Sequence, residues 1–231
     1  MKDYIQFGSK KIKYQLEYSG RKSLGITVKP DLKVIVKAPE NVLPEQIKEK
    51  LLKKAPWILK QQSFFLTYHP KTPPKKFIGG ETHLYLGRQY ILKILKSKEE
   101  LVHINGNFLE VKTRDRTRTR LLVTEWYLQN ARIKFENISK RAIEKFKKYK
   151  VKPDSIVIRY MPTRWGSCTP KGKIILNPEL IKAPRGCIEY VIVHELCHLV
   201  HLDHTQKFID LQTKVMPDWE KWKMRLERIL A

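Results

Sequence analysis

Polar and apolar side chains alternate through Lys11-Ile-Lys-Tyr-Gln-Leu-Glu-Tyr18, and the same period of two returns in Gly25–Val28 and Leu32–Lys37. Each stretch predicts a strand with one wet face and one buried face. A turn is expected at Pro30-Asp31, and an antiparallel sheet is the simplest assembly. After Ala38-Pro-Glu-Asn-Val-Leu-Pro44 the period lengthens: Ile47, Leu51, Trp57 and Ile58 give the apolar side of a helix over residues 45–66, which Pro56 should kink or restart. A basic, proline-rich connector, His69-Pro-Lys-Thr-Pro-Pro-Lys-Lys76, reads as a hinge. Beyond it a hairpin is expected about Gly87, then short strands at 100–104 and 107–111 joined through Asn105-Gly106, a strong turn signal.

Residues 112–149 predict a long helix with Leu121, Leu122, Trp126, Tyr127, Ala131, Phe135, Ile138, Ala142 and Phe146 on one side and a break at Asn137. Its polar side carries Lys134, Arg141, Lys145 and Lys148, which suits a phosphate-tracking stripe and equally a solvated face. Strands at 155–160 and 173–177 flank Arg164-Trp-Gly-Ser-Cys168, and Pro178–Pro184 reads as a short helix or turn. Thr205 is placed to cap a helix bearing Phe208, Leu211 and Val215, and Pro217 to start a closing one with Trp219, Trp222, Leu226 and Ile229.

Candidate chemistry lies in Glu189-Tyr-Val-Ile-Val-His194-Glu195-Leu-Cys-His198-Leu-Val-His201-Leu-Asp203-His204. The segment is apolar on most sides, as a buried helix would be. On a helix, His194 and His198 stack one turn apart and can direct nitrogens at one divalent ion. Glu195 lies about 100° further round, placed to act on water as a general base. Burying these groups is costly unless a metal or hydrogen bonds compensate. Open zinc sites take three protein ligands, and three candidates exist for the third. His204 gives metzincin-like ligand spacing, with His201 where that pattern has Gly, and Asp203 is expected to end the helix. His201 shares the helical face but sits about 4.5 Å beyond His198. Glu220 would be the ligand of a gluzincin-type arrangement.

Arg164-Trp165-Gly166-Ser167-Cys168, Leu176-Asn177, Tyr190 to His198 and His204-Thr205-x-x-Phe208 together resemble the YgjP-like metallopeptidase family, as does Gly80-Glu81-x-x-x-Tyr85-Leu86-Gly87-Arg88-Gln89-Tyr90 upstream. The family is zincin-type and more distantly similar to the SprT and WLM proteases. The resemblance implies that His194, His198 and His204 bind one zinc ion and that Glu195 is catalytic. It also implies that an extended peptide lies on the strand pair flanking Arg164-Trp165-Gly166-Ser167. Arg164 or Tyr160 is available to stabilise an oxyanion, and Arg164 equally to hold a carboxylate in a structural role. Family members often have Asn-His-Ser where this chain has Asp203-His204-Thr205, which leaves Asp203 as a candidate acceptor for His204. The expected class is α+β: an N-terminal antiparallel strand-helix-strand module over residues 1–111, then a zincin-like domain over 112–231 with a metal-binding helix and a small sheet.

Composition adds a second theme. Lys and Arg number 47 against 23 Asp and Glu, a net charge of +24. Residues 1–150 hold 34 basic and 14 acidic side chains, whereas 151–231 hold 13 and 9. Such a field attracts polyanions, so the zinc metallopeptidase expected from the motif and the resemblance would act on proteins associated with nucleic acid. Its alternative is a basic nucleic-acid-binding protein with a structural or vestigial metal, and a lysine-rich solvated surface gives the same count. No apolar run reaches the roughly 18 to 20 residues that span a bilayer, and Met1-Lys-Asp-Tyr-Ile-Gln-Phe-Gly-Ser-Lys has no apolar core of the kind a signal peptide is expected to carry. Cys168, Cys187 and Cys197 form no paired motif, so reduced thiols and a cytoplasmic address are expected. Cys197 is expected to pack as a small apolar residue rather than ligate.

Overall fold

A computed structural model describes residues 2–8, 10–29, 31–66, 75–162 and 164–230. The class is α+β, and the chain divides into two compact units, Met1–Thr72 and Pro73–Leu230. In the first unit, β1 (Lys2–Phe7), β2 (Lys10–Tyr18), β3 (Gly25–Val28) and β4 (Val34–Ala38) form one sheet in the order β1-β2-β4-β3. Ile12, Tyr14 and Leu16 of β2 and Val34 and Val36 of β4 are buried with Ile47, Leu51, Ala55 and Ile58 of α1 (Pro44–Leu66). The sheet is not wholly antiparallel. Its central strands β2 and β4 pair in parallel, with Tyr14 opposite Val34 and Leu16 opposite Val36. Alternation fixes which face a residue occupies, but it reads the same in both chain directions.

Helix α1 runs through Pro56 unbroken. Leu52, whose carbonyl loses its partner to the proline, and Pro56 itself are both exposed, while Ala55 and Ile58 are fully buried. Trp57 does not join the apolar side; it is 42 % exposed. Of the turn at Pro30-Asp31, Pro30 lies outside the described residues; Leu32 closes the turn at φ 66°, donating to the Lys29 carbonyl at 2.8 Å. The connector His69–Lys76 is described only from Lys75.

The second unit opens with β5 (Thr82–Tyr85), β6 (Arg88–Lys96), β7 (Leu101–Asn105) and β8 (Phe108–Thr113), in the order β5-β6-β8-β7. This repeats the plan of the first sheet: two antiparallel hairpins, their second strands paired in parallel, followed by a helix. That helix is α2 (Thr119–Phe146), unbroken at the exposed Asn137, where the cost is one of propensity alone. A small sheet, β10-β11-β9, joins Gly166–Cys168, Lys173–Leu176 and Ser155–Ile158. Then come α3 (Arg185–Cys197), α4 (Gln206–Val215) and α5 (Trp219–Leu230).

A domain boundary was expected at 111/112, but β5–β8 belong to the unit that holds α3. Leu92, Leu109 and Val111 share one core with Val123, Tyr127 and Ile192. The β5–β6 turn also docks on the segment leading into α3. Leu86 and Gly87 donate to the carbonyls of Ile181 and Lys182 at 2.8 and 3.0 Å. Gly87 has φ +80°, and a Cβ there would stand 2.6 Å from Pro184. A switch from period two to period 3.6 marks the end of an element, not the end of a core. Lys145 is committed as well, pairing across α2 and α3 with Glu189 at 2.8 Å, so it does not extend a free cationic stripe. Among the described residues no helix is long and apolar enough to cross a membrane.

Candidate metal centre

Helix α3 buries Val191, Ile192, Val193, Leu196 and Cys197, and presents His194 and Glu195 at its C-terminal end. The helix stops earlier than Asp203. His198 is its cap, and the Leu199 and Val200 amides donate three residues back to the Leu196 and Cys197 carbonyls, tightening the last turn. None of the residues from His198 to Thr205 has positive φ, so the chain turns back without the glycine of the metzincin pattern.

Its return brings His204 against the first two histidines. Ring centroids stand 5.0 Å apart for His194–His198 and His194–His204, and 4.6 Å for His198–His204. One nitrogen from each ring lies within 4.8 Å of the others. His201 and Glu220 are not in that cluster. Phe208 of α4, fully buried, lies beneath all three rings at 4.7 to 5.0 Å between centroids.

Outer hydrogen bonds fix how these rings are turned. His194 Nδ1 contacts the Gln212 Oε1 at 2.9 Å, and His198 Nδ1 the Leu202 carbonyl at 3.0 Å. Both acceptors require an Nδ1–H donor, which leaves each Nε2 with a lone pair facing inward. The Nε2 atoms of His194 and His204 are 3.1 Å apart. Two nitrogens bound at ordinary zinc distances on a tetrahedral ion would be about 3.3 Å apart, so the donor set fits such an ion. Burial, opposed by the Gln212 bond, takes His194 down to about 4, and burial followed by the neighbouring His204 lowers His198. Both are thus neutral at pH 7, the form that ligates. Asp203 acts through its charge on His198; among the described hydrogen bonds none joins it to His204.

Glu195 is 5 % exposed, and burial raises its carboxyl to about 7 against the pull of Arg164. Together with the three histidines it lines a cleft of about 410 Å³ whose far wall includes Arg164, Gly166, Ser167 and Cys168. Trp165 is not part of that wall; its ring packs on the core. Tyr160 is 66 % exposed and does not line the cleft either. The strand beside the cleft is β10, formed by the Gly166–Cys168 segment itself and paired with β11 through Ser167 opposite Ile175. Buried Asn177 holds the approach to it, donating to the carbonyls of Met161 and Arg164 at 2.7 and 3.0 Å.

Sequence reasoning missed Gln212. Its position one turn beyond Phe208 on α4 is the available signal, since a residue four along must share that inward face. Thr205 caps α4 by position, without a side-chain hydrogen bond.

A family model described as YgjP-like, metallopeptidase domain, matches residues 22–229. The chain belongs to this family. A YgjP-like metallopeptidase domain therefore spans both compact units. No curated protein matches the chain.

Proposed function

We propose that this YgjP-like chain is a zinc-dependent endopeptidase. His194, His198 and His204 hold one ion, and Glu195 serves as general base. The observation that carries this reading is the orientation of the imidazoles: Nδ1 atoms tied outward at 2.9 and 3.0 Å, ring nitrogens converging inward, and the Glu195 carboxylate in the same cleft. When bound, zinc supplies a Lewis acid that acidifies water and polarises a carbonyl. Glu195 takes the proton from the attacking water and passes it to the leaving amine, a role suited to a carboxyl at about 7. An extended substrate pairs through its main chain with β10, and Arg164, Gly166 and Ser167 meet it along the cleft. Arg164 is the cation placed to stabilise developing negative charge.

Two features of the whole chain refine the reading. Thirty-four basic residues against 14 acidic ones in residues 1–150 favour protein substrates that sit on nucleic acid. Free Cys168, Cys187 and Cys197 support a cytoplasmic address. A nucleic-acid-binding protein with a closed structural metal would need a fourth protein ligand, whereas the cluster among the described residues offers three.

Glu195→Gln tests the assignment. The variant should retain about one zinc per chain by metal analysis while hydrolysis of a casein or peptide-library substrate falls by about 10² or more. Turnover equal to the unmodified chain would remove Glu195 from the mechanism.

A further inference from the structure

The first compact unit carries chemistry that the metal centre does not use. Helix α1 buries positions 47, 51, 55 and 58 completely, and beside that face runs a stripe of Lys50, Lys53, Lys54 and Trp57. These positions are spaced as neighbours along one side of a helix. All four are exposed, Trp57 by 42 %. The stripe borders a cavity of about 450 Å³ whose other wall is Ser23, Leu24 and Ile26, the latter two half-buried on the approach to β3 and on β3 itself. The cavity thus has an apolar floor, an indole wall and an ammonium rim.

Charge decides what such a cavity accepts. Glu49 pairs with Lys53 at 2.7 Å and is also drawn by Lys50, but this pair is far more exposed than that of Lys145 with Glu189 and correspondingly weak, so a phosphate can take the place of the carboxylate. Residues 1–72 hold 15 basic and 6 acidic side chains, which favours a polyanion over a lone carboxylate. An indole left open to water beside ammonium groups offers a planar, π-faced ligand a stacking surface, and its charge a set of partners. A nucleobase joined to phosphates has both properties. Bases inside a duplex are already stacked and cannot reach the indole, so the strand must be single.

We propose that this stripe binds single-stranded nucleic acid, one unstacked base lying on Trp57 and the adjoining phosphates on Lys50, Lys53 and Lys54. The site is independent of zinc and of the peptidase reading; each can fail without the other.

Fluorescence anisotropy of the full chain with a labelled single strand of about 12 nucleotides tests it. Single strand should bind more tightly than duplex of equal length, equally with zinc or with chelator. Trp57→Ala should weaken binding about tenfold, and Trp57→Phe should retain most of it. Replacing Lys50, Lys53 and Lys54 together by Gln should flatten the slope of log K against log salt by about 2. The proposal is overturned if Trp57→Ala binds as the unmodified chain does, if duplex binds as tightly, or if the salt slope does not move. Displacement of the strand by an equal concentration of mononucleotide, or by phosphatidylserine vesicles, would also overturn it, assigning the cavity to a small ligand or a lipid surface.

Discussion

Glu195 owes its position to a side chain that is missing. Strand β10 lies so close to α3 that a Cβ built on Gly166 would stand 2.5 Å from Glu195 Oε1 and 2.8 Å from Val191 Cγ1. Neither neighbour can withdraw freely, because both belong to a helix buried on nearly every side. Gly166→Ala therefore has to move the carboxylate or lift the strand. A displacement of about 1 Å at a general base costs on the order of 10² in rate. The loss should fall on kcat rather than on metal content, since the atoms nearest the new methyl belong to Glu195 and Val191; unchanged turnover with a folded protein would show that the contact is incidental. The His-Glu-x-x-His spacing was legible because helix geometry alone places those side chains. The role of Gly166 was not, because its partner comes from a different element and a glycine announces only that something approaches.

At the scale of elements, α4 does more than close the core. Phe208 and Gln212 lie one turn apart, the first beneath the imidazoles and the second accepting from His194 Nδ1–H at 2.9 Å. Gln212 is 1 % exposed, so a substitution leaves His194 without a partner and frees its ring to turn. Gln212→Ala is expected to weaken zinc binding by about 10- to 100-fold in competition with a chromophoric chelator, whereas Gln212→Glu, which keeps an acceptor in place, should bind far closer to the unmodified chain. Equal affinities for all three would show that the bond does not position the ligand. Periodicity found most elements here and the apolar face of α2, though not its start: the helix expected from residue 112 begins at Thr119, because Lys112 and Thr113 still belong to β8. It could not supply strand direction, as in the parallel pairing of β2 with β4, nor the three-residue strand β10, too short to show any alternation. Trp57 misled for a related reason: an apolar residue next to Ile58 looks like core until the helix face is fixed by Ala55 and Leu51.

Across the whole molecule, one strand plan serves two ends. The first sheet and α1 close their own core, from Ile5 to Ile58, whereas in the second unit α2 and the sheet before it share a core with α3, which carries His194 and Glu195, from Leu92 to Leu226. No residue is common to the two buried clusters, so each unit has its own hydrophobic reason to fold. A ligand that binds only the native form stabilises the cooperative unit that holds its site, by about 2.7 kcal/mol when its concentration is 100 times Kd. The three histidines all lie in residues 73–230. Differential scanning calorimetry of the full chain should thus resolve two transitions, with zinc raising the Tm of one and a chelator returning it, while the other stays fixed. In Gln212→Ala the zinc-dependent shift should shrink and the fixed transition remain where it was. A single transition that moves as a whole would mean that the two cores melt together, and a shift of both would place metal-linked stability in the strand-and-helix unit that contributes no ligand.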